Sequence, residues 1–201
     1  MSFDVRYREH VAVIGRNGSG KSTLLRALAG IYPATSGEIR VNGRVQGLFD
    51  ITFGFESEAT GRENILYRGL VMGLSPAQIA AREAEIIAFA DIGEFIDYPT
   101  RTYSSGMSVR LAFAISTFLS GDILLFDEML AAGDASFQER VAVRLNSLIE
   151  GAGVIILVSH DMATVKRICP RTIWLRKGKI VADGPSEDVC ERYIRESAED
   201  A

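Results

Sequence analysis

The chain has 201 residues, 47% of them hydrophobic and 24% charged, and its 22 basic against 26 acidic side chains leave a formal charge of −4. That length fits one domain with a small inserted lobe and a sizeable core, which excludes a disordered chain. The acidic balance excludes the broad basic footprint that nucleic-acid affinity relies on, and Cys169 and Cys190, without paired spacing or a histidine cluster, support neither a disulfide framework nor a zinc site.

The opening run MSFDVRYREH carries charges every few positions instead of an apolar h-region. VAVI at Val11 to Ile14 then reads as a strand buried on both faces, as in a parallel sheet. GRNGSGKS, Gly15 to Ser22, follows it with the spacing G-x-x-x-x-G-K-S, between that strand and a helix expected from about Lys21. Glycines at 15, 18 and 20 let the backbone curl so that successive N–H groups face phosphate oxygens, and the helix N-terminus adds partial positive charge. Gly15, Asn17, Gly18, Ser19, Gly20, Lys21, Ser22 and Thr23 are therefore the candidate nucleotide contacts. Lys21 is expected to reach the β- and γ-phosphates of ATP, and Ser22 to ligate Mg²⁺. A glycine-rich turn with a solvated lysine is the plainer alternative, and the agreement of strand, loop and helix weighs against it.

Two capping boxes mark helix starts further on: Thr60 with Glu63 opens GRENILYRGLVMG, and Ser75 with Gln78, with Pro76 at the first helical position, opens PAQIAAREAEIIAFA. They predict a helical lobe at about residues 60–120, inserted in a core of about 1–59 and 121–201. ILLF at Ile123 to Phe126 reads as a second buried strand and runs directly into Asp127 and Glu128. Ligands of open α/β sheets collect at such strand ends, so Asp127 is the candidate Mg²⁺ ligand and Glu128 the candidate for orienting or deprotonating the attacking water. VIILV at Val154 to Val158 is a third buried strand. After it come a helix near Met162 to Cys169, a hairpin in TIWLRKGKIVADG turning at Lys177-Gly178, and a polar, helical tail from Glu191. No apolar run reaches the roughly 18 residues of a spanning helix.

Three more runs complete the pattern: YSSGMSVRLAFAI at Tyr103 to Ile115, AAGD at Ala131 to Asp134, and LVSHD around His160. In the order phosphate loop, signature, FDE, D-loop and switch histidine, the chain resembles an ABC-transporter nucleotide-binding domain along nearly its whole length. Its wording in IGRNGSGKSTLLRALAG, ATGRENI, RTYSSGM and GDASF is similar to the ATPase subunits of bacterial exporters of O-antigen, capsule or teichoic acid.

That resemblance implies an α/β phosphate-loop core with a mainly parallel sheet, an inserted helical signature subdomain and a head-to-tail homodimer that traps two ATP molecules. Ser104, Ser105 and Gly106 would cap the γ-phosphate held by the other protomer's loop, Asp134 would make the D-loop contact, and His160 would read the γ-phosphate. The usual signature has glycine where Ser105 stands and glutamine where Met107 stands. The Q-loop glutamine has no counterpart either: counting back from Arg62 to Asn64 lands on Ile51, Gln46 is too early, and Asp50 is the nearest polar side chain to stand near Mg²⁺. An earlier strand and an adenine-stacking aromatic do not appear before Gly15, and Tyr7 lies too close to the loop, so a reduced N-terminal antiparallel portion is expected. The implied partner is a separate integral membrane permease, which places the chain at the cytoplasmic face of the membrane without a span of its own. A soluble ABC ATPase of repair or translation, or a nucleotide-binding regulator without turnover, are the alternatives. The first lacks its coiled coil or paired domains here, and the second usually loses the counterpart of Glu128 or His160.

Overall fold

The computed structural model describes residues 1–49, 54–119, 121–127 and 135–199. They divide into two compact units: one from the described parts of Met1–Phe49, Gly121–Met129 and Gly151–Ala201, the other from those of Asp50–Ser120 and Leu130–Glu150.

The first unit is built on a six-stranded sheet: β1 (His10–Ile14), β2 (Val45–Leu48), β3 (Ile123–Asp127), β4 (Val154–Val158), β5 (Arg171–Arg176) and β6 (Lys179–Pro185), in the order β2-β3-β4-β1-β5-β6. All neighbours pair in parallel except β5 and β6. The runs VAVI, ILLF and VIILV become β1, β3 and β4 because strands buried on both faces need apolar side chains on both. Val11 to Ile14 are fully buried, and Val11, Val13, Leu125, Ile156, Val158, Ile173 and Leu175 pack with Leu24 and Leu25 of α1 (Lys21–Leu28) in one cluster.

Register does the positioning: Val13 pairs with Val158 and Val158 with Asp127, so the chain leaves β1, β3 and β4 at one level on one edge of the sheet. The phosphate loop, Asp127 and the Ser159-His160 pair all emerge there. The β5–β6 hairpin turns at Lys177 and Gly178, both at positive φ (48° and 74°), the backbone that matches the right-handed twist of a two-residue hairpin.

The second unit holds α2 (Gly61–Val71), α3 (Pro76–Ala90), α4 (Ser105–Phe118) and α5 (Ala135–Gly151), with short 3₁₀ turns at Gly93–Asp97 and Thr100–Thr102. Both capping boxes form: Thr60 and Ser75 accept from Glu63 N and Gln78 N, and the Glu63 and Gln78 side chains reach back to the cap backbones. Ile65, Ile79, Ile86, Leu111 and Ile115 make its core. Beside it Phe89 stacks on Phe113 and both meet Phe137 edge-on, at centroid distances of 5.7 to 6.1 Å, with Arg140 lying over two of the rings. Two further helices of the first unit, α6 (Met162–Ile168) and α7 (Ser186–Glu199), follow β4 and β6.

Candidate nucleotide site

The loop between β1 and α1 has Gly15 at φ 151°, Gly18 at 77° and Gly20 at 104°, conformations that L side chains rarely adopt. At Gly15 there is also no room: a Cβ would press into the Leu175 carbonyl oxygen of β5 and sit 2.7 Å from Ser19 Oγ. Nearby the Gly178 N–H donates to Ser19 O at 2.9 Å, so the hairpin turn braces the loop from behind. Gly15→Ala should therefore lower stability by roughly 1–3 kcal/mol, the usual cost of overpacking. A parental denaturation midpoint for that variant would contradict this close approach.

The loop fits an anion. Gly20 caps α1 without any side-chain hydrogen bond and no acid stands in the first turn, so the first amides of the helix remain available. Lys21 Nζ folds back over the crown of the loop, donating to Gly15 O at 2.6 Å and Arg16 O at 3.2 Å. Ser19 is 5% exposed, and its Oγ is buried with no hydrogen-bond partner. Asn17, Gly18, Ser22 and Thr23 are exposed around it.

Ser22 Oγ approaches Asp127 Oδ2 to 3.4 Å, bringing a hydroxyl from the first turn of α1 to a carboxylate at the end of β3. Among the described residues no group of three His, Cys, Asp or Glu could hold a metal ion. The pair Ser22 and Asp127 suits Mg²⁺, which keeps waters and leans on substrate phosphates rather than on an all-protein cage.

His160 is exposed just past β4. Its neighbour Asp161 caps α6, accepting from Ala163 N at 3.0 Å and Thr164 N at 3.3 Å, and the Thr164 hydroxyl beside it holds its carboxyl below the ordinary range. The structure thus gathers Gly15 to Thr23, Asp127 and His160 on one edge of one sheet. Ser104, Ser105 and Gly106 belong to the other unit, exposed at the start of α4, where Ser104 Oγ accepts from Met107 N at 3.2 Å and keeps its own proton to donate. Asp50, Glu128 and Asp134 lie outside the described residues. Both cysteines are buried, and burial pushes the Cys169 thiol up to about 12, which leaves it inert.

Two contributors escaped the sequence reading. Gln46, 1% exposed on β2, accepts from Gly121 N at 2.7 Å and so fixes the entry into β3, upstream of Asp127. Leu175 at the end of β5 shapes the loop through its carbonyl, and a backbone contact leaves no trace in residue type.

Residues 1–131 match the family described as ABC transporter. Among curated relatives, the O-antigen export system ATP-binding protein RfbB of Myxococcus xanthus is 46% identical over 91% of this chain and 42% of its own length. The O-antigen export system ATP-binding protein RfbE of Yersinia enterocolitica is 44% identical over 90% of this chain and 75% of its own. The teichoic acids export ATP-binding protein TagH of Listeria monocytogenes is 42% identical over 96% of this chain and 57% of its own. The chain thus spans between about two fifths and three quarters of the relatives it matches. Among solved structures, an ATP-binding subunit of an ABC transporter superposes with TM-score 0.77 at 25% identity, covering 95% of this chain and 84% of that one. A dimeric ATP-binding cassette in a post-hydrolysis state with ADP and phosphate shares the fold at TM-score 0.71 and 21% identity, covering 92% of this chain and 88% of its own.

Proposed function

The chain belongs to the ABC transporter family, and from that membership we propose that it is the ATP-hydrolysing subunit of a system exporting a cell-surface polysaccharide of the O-antigen or teichoic-acid kind. The observation that carries the ATPase part is the shared level of β1, β3 and β4, which brings the loop Gly15 to Thr23 and the carboxylate of Asp127 to one edge. The cargo class rests on the relatives' names and on the runs ATGRENI and YSSGM.

In this mechanism the amides of residues 15–22 and the N-terminus of α1 hold the phosphates of ATP, and Lys21 swings from its carbonyl partners onto the β- and γ-phosphates. Ser22 and Asp127, with Asp50, which follows β2 in sequence, are the residues that would hold Mg²⁺. The ion, when bound, offsets phosphate charge and orients the γ-phosphoryl group. Glu128 takes a proton from the attacking water, and His160 senses the γ-phosphate. Two chains meet head to tail, Ser104 to Gly106 of one donating to the γ-phosphate on the other, with Asp134 in the dimer contact. Closing that dimer drives a separate membrane permease. Among the described residues no helix is long and apolar enough to cross a membrane. In this reading the permease is what would hold the chain at the cytoplasmic face.

Deleting the gene should abolish surface polysaccharide, and restoring it should reverse the loss. Intact surface polymer in the deletion strain would remove the export assignment while leaving the ATPase chemistry untouched.

A further inference from the structure

ATGRENI and YSSGM stand about 40 residues apart in sequence, and the structure joins them into one bracket. Thr60 bridges Pro99 in antiparallel fashion; Thr100 N donates to Ala59 O at 2.9 Å, Arg101 N to Ser57 O at 3.0 Å, and Thr100 Oγ1 to Glu56 O at 3.0 Å. Asn64, fully buried, ties the near arm: its Nδ2 donates to Glu56 O, Ala59 O and Thr60 O, and its Oδ1 accepts from Glu56 N at 2.8 Å. Arg62 holds the outer side, pairing with Asp97 at 2.9 Å and with Glu83.

The far arm ends in Tyr103, the residue before the Ser104 cap. Its hydroxyl donates to Phe95 O at 2.6 Å. A Cβ at Gly61 would collide with the phenol oxygen and stand 2.9 Å from Ile96 Cδ1 and 3.1 Å from Ile96 O, so the glycine is required by the tyrosine. The ring packs against the lobe core that includes Ile65 and Leu111. Ser104, Ser105 and Gly106, all exposed, therefore hang from a phenol pinned between the first turn of α2 and the Gly93–Asp97 turn.

We propose that Tyr103 is a positioning residue: through its hydroxyl on Phe95 O and its fit against Gly61 it fixes the direction in which Ser104 to Gly106 present their donors to the γ-phosphate on a second copy of the chain. This rests on the ATPase reading above. On that reading it acts when two chains close. A hydrogen-bond donor aimed a few tenths of an ångström wrong loses much of its worth, because such bonds weaken steeply with angle.

The test is Tyr103→Phe in a Glu128→Gln background, where unspent ATP would hold the dimer. ATP affinity of the monomer, measured by calorimetry at low protein concentration, should match the parent, as should the thermal midpoint to within a few degrees. The protein concentration for half-dimerisation with ATP and Mg²⁺, read by light scattering, should rise about tenfold, since each of the two shared sites in a dimer loses part of the worth of a mis-aimed donor on phosphate. Unchanged dimerisation would overturn the proposal. So would a parallel loss of monomer ATP affinity, which marks general damage to the fold. A Glu128→Gln parent that itself stays monomeric would overturn the shared-site reading together with this one, so the two failures are distinguishable.

Discussion

Lys21→Ala is expected to bind ATP at least about a hundredfold more weakly than the parent protein while keeping its fold. In the proposed site the lysine would supply a compact positive charge to two phosphates, and two charge-assisted hydrogen bonds of about 1.5 kcal/mol each amount to roughly a factor of 100. Its structural cost is small by comparison. Of the two carbonyls it now meets, Arg16 O is exposed, where water can replace the ammonium, and Gly15 O is part-buried, so at most one hydrogen bond goes unreplaced. The loop's shape comes instead from its glycines, from Leu175 O behind Gly15 and from the Gly178 N–H on Ser19 O. Calorimetry with ATP and Mg²⁺ beside a thermal melt separates the two contributions. Parental affinity in the variant would remove Lys21 from the nucleotide site.

Much of this site is legible in the sequence because its parts are local. A phosphate loop needs glycine at positions 15, 18 and 20, an unblocked helix start at Lys21 and a buried strand before it, and each demand falls on consecutive residues. The capping boxes at Thr60 and Ser75 are equally local, four residues each, and the structure forms both. The Lys177-Gly178 turn is likewise readable from the dipeptide.

What escaped the sequence depends on distant partners. VQGL at Val45–Leu48 has a glutamine and a glycine in four residues and no apolar run. It becomes β2 because β3 offers it a parallel edge and Gly121 N offers Gln46 an acceptor's role. Helix α7 begins at Ser186, ahead of the Glu191 start expected from polarity, since Ser186 N donates to Pro170 O and its hydroxyl meets Thr172 Oγ1 at 2.6 Å, contacts that span more than a dozen residues. The antiparallel partner of the sheet is contributed by the C-terminal hairpin through β6. The pairing of Gly61 with Tyr103 is of the same kind, invisible until α2 and the Gly93–Asp97 turn are folded together.

Glu128→Gln tests the central claim most directly, because it separates turnover from binding and reads out the dimer in the same sample. Glu128 directly follows Asp127, the last residue of β3, whose carboxylate approaches Ser22. In the proposed mechanism Asp127 would hold Mg²⁺, and Glu128, one residue further in sequence, would act on water rather than on ATP affinity. Glutamine keeps its size and removes the base, so phosphate release should fall by about 10²- to 10⁴-fold, the range that a positioned general base contributes. ATP binding should survive, since the loop Gly15 to Thr23 is untouched. With hydrolysis blocked, the nucleotide should stay clasped between one chain's loop and Ser104 to Gly106 of a second. Light scattering with ATP and Mg²⁺ should then give twice the monomer mass, beside near-zero phosphate release. A Glu128→Gln protein that hydrolyses ATP at the parental rate, or one that is inactive yet stays monomeric with ATP, would contradict the account.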